Sequence, residues 1–255
     1  MRADKITSLS DELLAAYRND GLFIAAEAFA DLTVEEAFAI QGAVLRSLDE
    51  TVPVVKVGVG PDKSPIAAPI MGSYVVESGG RLDVPTRGLV GLEVEVAVRL
   101  RHDLTPEIAA GGVPALLGAV DQFLCGIEIV GTRFDDRAKA GQFGGLADCM
   151  TSAGYVWSAA TWEPGVEVDG TQIDLLVDGR SLWAGQGKHP FGGVLAPILA
   201  YAKAPRDQFG GLRAGMIVTT GSLCGIVPMA GAGSVVARMG QANSVAVTLA
   251  DRHTA

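Results

Sequence analysis

Leu89-Val-Gly-Leu-Glu-Val-Glu-Val-Ala-Val-Arg-Leu100 is the stretch on which the reading of this chain turns. Val90, Leu92, Val94, Val96, Val98 and Leu100 fall on one face of an extended backbone, and Glu93, Glu95, Ala97 and Arg99 on the other. That period of two predicts a β-strand. Glu93 and Glu95 then point the same way, roughly 7 Å apart at the backbone, and repel unless a cation sits between them. Taken alone, the segment reads as the wetted outer face of an amphipathic strand.

Downstream, Glu128 changes that reading. It lies in Phe123-Leu-Cys-Gly-Ile-Glu-Ile-Val130, an apolar run in which an ionised carboxylate is costly to desolvate without a partner. A buried glutamate is paired, protonated or bound to metal. Three carboxylates without an accompanying His or Cys suit a hard, oxygen-preferring ion, Mg²⁺ or Mn²⁺, better than zinc.

Upstream, Lys56 sits in Pro53-Val-Val-Lys-Val-Gly-Val-Gly60. Either it snorkels to the surface, or it is a partly buried cation that binds a substrate carboxylate or moves a proton. Thr219-Thr220-Gly221-Ser222 closes a predicted strand; its hydroxyls and N–H groups can hold an anion, or it is a plain turn. Thr151-Ser152 after Asp148 is a similar polar turn. Ser222 lacks a G-x-S-x-G setting, and Gly58-Val-Gly60 is too short for a dinucleotide fingerprint. His102, His189 and His253 are scattered, so no hydrolytic triad is expected.

Further out, the first fifty residues read as helical. Ser8 or Ser10 is expected to cap a helix through about Arg18, ended by Gly21. Thr33 with Glu36 forms a capping box for a second helix through about Leu48. Val52–Val59 predicts a strand, and Pro61, Pro65 and Pro69 a loop after it. Thr105-Pro106-Glu107 opens a short helix, residues 114–124 a further one, and Cys125–Val130 a strand. Strands are expected at Tyr155–Ser158, Val166–Val168, Ile173–Val177 and Ser181–Ala184, with hairpin turns at Asp169-Gly170 and Asp178-Gly179. A helix over Val194–Lys203 and strands at Met216–Thr220, Ser234–Met239 and Ser244–Leu249 complete an α+β pattern. We read residues 1–50 as a helical cap region and 51–255 as a mixed β catalytic core.

The bulk composition narrows the function. A net charge of −9 without a local Lys/Arg cluster gives no footprint for nucleic acid. No apolar run is long enough to span a membrane, and the start lacks a signal-peptide core. Cys125, Cys149 and Cys224 are odd in number, widely spaced and set in apolar surroundings. They read as free thiols of a reducing cytoplasm.

Together these segments resemble the fumarylacetoacetate hydrolase superfamily, in its 2-keto-4-pentenoate hydratase/4-oxalocrotonate decarboxylase branch. The resemblance runs in order through Ala37–Leu45, Val54–Gly60, Leu89–Leu100, Gly126–Arg133, Ala147–Gly154 and Ala214–Pro228. The E-x-E metal strand matches Glu93-Val-Glu95, the third acidic ligand Glu128, the K-x-G lysine Lys56, and the T-G-S turn Thr220-Gly221-Ser222. The A-D-N-x-S-S-A-G phrase is met by Ala147–Gly154, which places Ser152 at the substrate.

The N-D-V-S-A-R-D phrase of the hydrolase branch is absent. Gly131-Thr132-Arg133 replaces the usual Asp-Ser-Arg, Cys149 stands where Asn is usual, and Pro61–Pro65 is shorter than many hydratase lids. The resemblance implies a β-roll core, Mg²⁺ or Mn²⁺ on Glu93, Glu95 and Glu128, and catalysis by Lys56. It implies substrate contacts from Ser152, Thr220, Gly221 and Ser222, and a homo-oligomer. The implied reaction is hydration of a 2-hydroxy-2,4-dienoate, the enol of a 2-keto-4-enoate. Decarboxylation of a 2-oxo-enedioate, C–C hydrolysis and non-catalytic keto-acid binding are the alternatives.

Overall fold

The computed structural model describes residues 2–60, 62–162 and 167–252. Helix α1 (Arg2–Arg18) starts well before either expected serine cap. Ser10 instead donates back to Ile6 O at 2.7 Å, one helical turn earlier, so it is an interior residue. Helix α2 (Val34–Leu48) carries the expected capping box: Thr33 Oγ1 accepts from Glu36 N, and Glu36 Oε2 accepts from Thr33 N at 2.9 Å. The two helices share a core in which Leu13, Phe38 and Val44 meet Ile66 and Met71.

The strands follow. They are β1 (Val54–Val59), β2 (Pro65–Ile70), β3 (Val75–Glu77), β4 (Arg81–Val84) and β5 (Leu89–Leu100). The proline-rich stretch expected as a loop is thus largely strand β2. It lies at the sheet edge with β1 as its ladder partner, where a missing N–H is tolerated. Helices α3 (Pro106–Ala110) and α4 (Gly112–Ala119) lead into β6 (Val120–Gly131), which starts earlier than expected. Helix α5 (Gly141–Ala147) precedes β7 (Ser152–Ala159), β8 (Gln172–Val177) and β9 (Arg180–Gln186). Then come α6 (Leu195–Lys203), β10 (Ile217–Ser222), β11 (Val227–Pro228), β12 (Gly233–Met239) and β13 (Asn243–Asp251).

The hairpin at Asp178-Gly179 is present, both residues at positive φ, as a type I′ turn requires. Of the strand expected at Val166–Val168, Val166 lies outside the described residues, and Glu167 and Val168 are not in a strand. Asp169-Gly170 is accordingly a turn without a hairpin.

Two sheets form. One runs β2-β1-β10-β5-β6-β7-β3, with β11 on β5; the other runs β4-β13-β12-β8-β9. Val54 and Ile70, near one edge of the first sheet, pack against Tyr155 on β7 near the other, together with Ala97 and Leu124. That contact is possible only if the sheet rolls up, so the α+β class with a β-roll core is the fold observed. Outside the roll, Val94, Val96 and Val98 pack towards Val235, Val245 and Val247 of the second sheet. Rolling covers the face of β5 expected to be wet: Glu95 and Ala97 are fully buried.

Candidate active site

Strand register brings the acidic residues together inside the roll. Glu93 stands opposite Glu128 across the β5–β6 ladder, and Glu128 opposite Tyr155 on β7. On the other flank, Lys56 pairs with Thr219, and Thr219 with Ala97. Lys56 Nζ donates to Glu128 Oε1 at 2.5 Å and to Met150 O at 3.1 Å. Thr219 Oγ1 donates to Glu95 Oε2 at 2.5 Å.

One carboxylate oxygen from each of Glu93, Glu95 and Glu128 lies within 4.8 Å of the other two. Glu95 Oε1 and Glu128 Oε2 are buried without a hydrogen-bond partner. Buried acceptors are nearly always satisfied, so unmet oxygens on two carboxylates of this cluster fit a hard divalent cation. The all-oxygen donor set suits Mg²⁺ or Mn²⁺ and not zinc.

The electrostatics agree. Burial pushes the Glu128 carboxyl up to about 7, against the attraction of Lys56. Burial, then the charges of Glu128 and Glu93, hold Glu95 well above the carboxylate range. For Lys56, burial favours the neutral amine, but the surrounding carboxylates, Glu128 foremost, outweigh it and raise the ammonium above its usual range. Three carboxylates share one ammonium, that of Lys56, and a divalent cation would make up the remaining positive charge.

Met150 O reaches Lys56 because Cys149, Met150 and Thr151 all adopt positive φ, at 48°, 52° and 57°. Three consecutive non-glycine residues in the left-handed region are disfavoured and persist only when their surroundings hold them. Arg133 does so. Its Nε donates to Asp148 Oδ1 at 2.5 Å, Nη1 to Ser152 O at 2.8 Å and Nη2 to Asp148 O at 3.1 Å. Its guanidinium lies over the Tyr17 ring, 4.5 Å from the centroid. One buried arginine thus clamps both ends of the turn.

A cavity of about 290 Å³ opens onto this cluster, with Lys56, Glu93, Glu95, Met150, Phe191 and Ser222 in its lining. Gly221 lines it too, at φ 117° with Pro190 Cγ 2.9 Å from where a Cβ would stand, so the wall requires glycine here. The sequence-predicted residues divide. Lys56, Glu93, Glu95, Gly221 and Ser222 line the cavity, while Glu128 sits beneath Lys56. Thr220 turns its hydroxyl towards His189 Nε2, 3.0 Å away. Ser152 stands beside Glu128, offsetting part of its rise but making no hydrogen bond within ordinary distance. Ser222 Oγ donates to Gly225 O at 2.9 Å. A second cavity, of about 330 Å³ near Val96, Phe123 and Trp162, has among the described residues only the exposed acids Glu167 and Asp169 as charged lining.

Three participants were not singled out from the sequence. His189 Nδ1 accepts from Phe191 N and Gly193 N, both at 3.2 Å, so Nε2 carries the proton and donates to Thr220. This staples the Pro190-Phe191 wall to β10, a role that the scattered histidines of the sequence do not announce. Tyr155 lies under the carboxylates, with its Oη 1.9 Å from the position of a Cβ on residue 126; only a glycine admits it. Arg133 appeared in the sequence as part of a phrase, with no partner assigned.

No family model matches the sequence, and no curated protein matches it. Solved structures do match. 4-Oxalocrotonate decarboxylase from Pseudomonas putida G7, complexed with magnesium and adipate, is similar with a TM-score of 0.78 and 20% identity over 98% of each chain. 2-Hydroxyhepta-2,4-diene-1,7-dioate isomerase from Mycobacterium marinum is similar with a TM-score of 0.56 and 14% identity, covering 80% of this chain and 77% of that one. A putative fumarylacetoacetate hydrolase family protein from Yersinia pestis CO92 has a TM-score of 0.52 and 17% identity, covering 79% of this chain and 94% of that one. The protein is therefore a rolled-sheet α+β protein with a converging carboxylate cluster. Its fold is that of the fumarylacetoacetate hydrolase superfamily.

Proposed function

We propose that this chain is a divalent-metal-dependent enzyme that hydrates a 2-hydroxy-2,4-dienoate of the 2-keto-4-pentenoate type, in the breakdown of aromatic or related compounds. The observation that carries the proposal is the convergence of Glu93, Glu95 and Glu128 within 4.8 Å, two of their oxygens buried and unpartnered, beside Lys56 in a cavity. Those three carboxylates would hold Mg²⁺ or Mn²⁺, which would supply Lewis-acid neutralisation of charge on a bound 2-keto acid.

The chain's own residues do the rest. Lys56 has three N–H donors and spends two, on Glu128 and Met150 O. The remaining donor is available to an oxygen of the acid in the cavity it lines. Because its neighbours keep Lys56 protonated, it presents a proton and a positive charge, not a free amine. Burial of Glu95 and Glu128 excludes water from the floor of the site and strengthens every charge interaction there. Gly221 and Ser222 shape the wall opposite.

Decarboxylation of a 2-oxo-enedioate such as 4-oxalocrotonate is the second reading. It is favoured by the likeness to a 4-oxalocrotonate decarboxylase and would use the same residues. In this reading residues 1–50 cap a 51–255 catalytic core, and the buried free thiols Cys125 and Cys149 suit a reducing cytoplasm. A homo-oligomer is expected by light scattering. Among the described residues, no helix is long and apolar enough to cross a membrane.

Purified protein with Mg²⁺ separates the reactions. Loss of dienoate absorbance without CO₂ release is the expected result. CO₂ release from the 2-oxo diacid favours the decarboxylase, and no turnover of either sinks the enzyme reading. Glu93→Gln and Glu128→Gln are each expected to abolish Mg²⁺ binding by calorimetry; unchanged affinity in both would refute the ligand assignment.

A further inference from the structure

We propose that Thr219 is a positioning residue for the metal. It caps one oxygen of Glu95, so that Glu95 offers the ion its other oxygen alone, and this shifts the site's preference from Ca²⁺ towards Mg²⁺. The inference rests on the metal-dependent reading above and adds the residue that sets how one ligand binds. The sequence shows Thr219 only as the first residue of a polar turn, and its hydroxyl meets a carboxylate 124 residues away.

Strand register brings it there. Lys56 on β1, Thr219 on β10 and Ala97 on β5 form one row across three adjacent strands. Glu95 is the next residue on β5 that faces the same way as Ala97. It therefore stands diagonal to Thr219, within reach of a long side chain. The small Ala97 leaves the space between them open. After Thr219 the β10–β5 ladder shifts register before Ser222 pairs with Glu95, an irregularity of the kind that re-aims side chains beside sites. On the β6 side, the partner of Glu95 is Gly126. There the Tyr155 hydroxyl occupies the place of the missing side chain, 1.9 Å from the position of a Cβ. Glu95 and Thr219 are both buried, so no solvent competes for the bond.

The bond divides the carboxylate. Thr219 Oγ1 donates to Oε2 at 2.5 Å, and Oε1 is the buried oxygen with no partner. Glu128 repeats the arrangement, with Lys56 on Oε1 and Oε2 unmet. Each fully buried ligand therefore has one oxygen committed to the protein and one free for the ion. Mg²⁺ demands near-octahedral geometry built from single-oxygen contacts, whereas Ca²⁺ readily takes both oxygens of a carboxylate. A threonine hydroxyl has one hydrogen and no charge. Unlike the Lys56 ammonium, it orients its glutamate without repelling the ion.

Thr219→Val keeps the branched shape and removes the donor. In that variant Oε2 is unmet both without metal and with Mg²⁺, but Ca²⁺ satisfies it by taking both oxygens. Partners that orient a ligand in this way are worth about 10–100-fold in metal affinity. By calorimetry into metal-free protein, we expect Mg²⁺ affinity to fall by roughly tenfold or more. Ca²⁺ affinity should fall less or rise, and Thr219→Ser should restore the parent's ratio of the two. Unchanged Mg²⁺ affinity in folded Thr219→Val, an equal loss for both ions, or a loss that Thr219→Ser shares overturns the inference and leaves the metal reading standing. A crystal structure of the unaltered protein loaded with Mg²⁺ tests the same point without a variant. Glu95 should bind through one oxygen with Thr219 still on the other, and a two-oxygen contact overturns the inference. Failure of the unaltered protein to bind Mg²⁺ at Glu93, Glu95 and Glu128 overturns the metal reading with it.

Discussion

Replacing Lys56 by methionine tests the charge balance on which the site depends. The change keeps much of the side-chain volume and removes the ammonium hydrogen-bonded to Glu128. The lysine is 8% exposed and Glu128 fully buried, so the pair is an interior one. Removing one partner of such a pair costs about 3–5 kcal/mol. At roughly 2–4 °C per kcal/mol for a chain of this size, the metal-free variant should melt about 6–20 °C lower.

The pH dependence has a definite sign. In the folded protein Glu128 holds its proton up to about 7, against 4.5 for the free group. The folded state thus binds more protons across that interval, and stability falls as pH rises through it. Without Lys56 the interval extends upward. The loss in Lys56→Met is therefore largest near pH 8 and shrinks below 7, where Glu128 can be protonated. Magnesium should restore most of the loss, since a divalent ion replaces the missing charge, and Mg²⁺ affinity should hold or tighten because the competing ammonium is gone. Differential scanning fluorimetry in EDTA and in Mg²⁺ at pH 6 and 8, with calorimetry, measures all three effects. A variant as stable as the parent in EDTA at pH 8, or one that loses Mg²⁺ affinity as Glu128→Gln does, would refute the reasoning.

Arg133→Met should cost a similar 3–5 kcal/mol by stranding buried Asp148. It should lower turnover more than metal affinity, since the carbonyl that holds Lys56 is released while the carboxylates stay; Arg133→Lys should not rescue it, because one ammonium cannot replace the guanidinium fork. His189 is held below its usual value of 6.5, chiefly by burial, so the unfolded chain binds its proton first as pH falls. The His189 contribution to stability should rise with pH up to about 6.5 and level off above it, opposing that of Glu128, and His189→Asn should remove it from the melting profile. An unchanged slope in the variant would remove the histidine from the account.

What could be read from the sequence follows from range. The capping box at Thr33 and Glu36 is local, closed by residues three apart, and a single chain displays it whole. The strand Leu89–Leu100 is legible because its alternation is unbroken. Strand β2 reads as a loop in the sequence because Pro65 and Pro69 forbid a central strand and permit an edge one, and edge position is a property of the sheet. The burial of Glu95 was illegible from its own strand for the same reason. A one-in-two acidic face looks solvated unless β1 and β2 are known to curl round onto β7. Glu128 gave the clue, because an apolar run on both sides of a carboxylate has no wet reading. His189 carried no local signal, since its meaning lies in Thr220, thirty-one residues on.

The turn at Cys149–Thr151 ties these pieces into one device. At about 1–2 kcal/mol for each residue forced into the left-handed region, the run is too costly to persist for its own sake. It delivers one carbonyl, Met150 O, to Lys56 Nζ. Without that acceptor the lysine would have a single anchor, Glu128, and would swing about it. With both, two of its three hydrogens are fixed and the third has one direction left. Arg133 and Asp148 hold the turn, and the turn holds Lys56. The Gly131-Thr132-Arg133 phrase, which follows soon after Glu128 in the chain, and the Ala147–Gly154 phrase further on thereby act on the same atom as Glu128. A chain that kept the three glutamates and lost the clamp would still bind a divalent ion, but would aim its ammonium at nothing in particular.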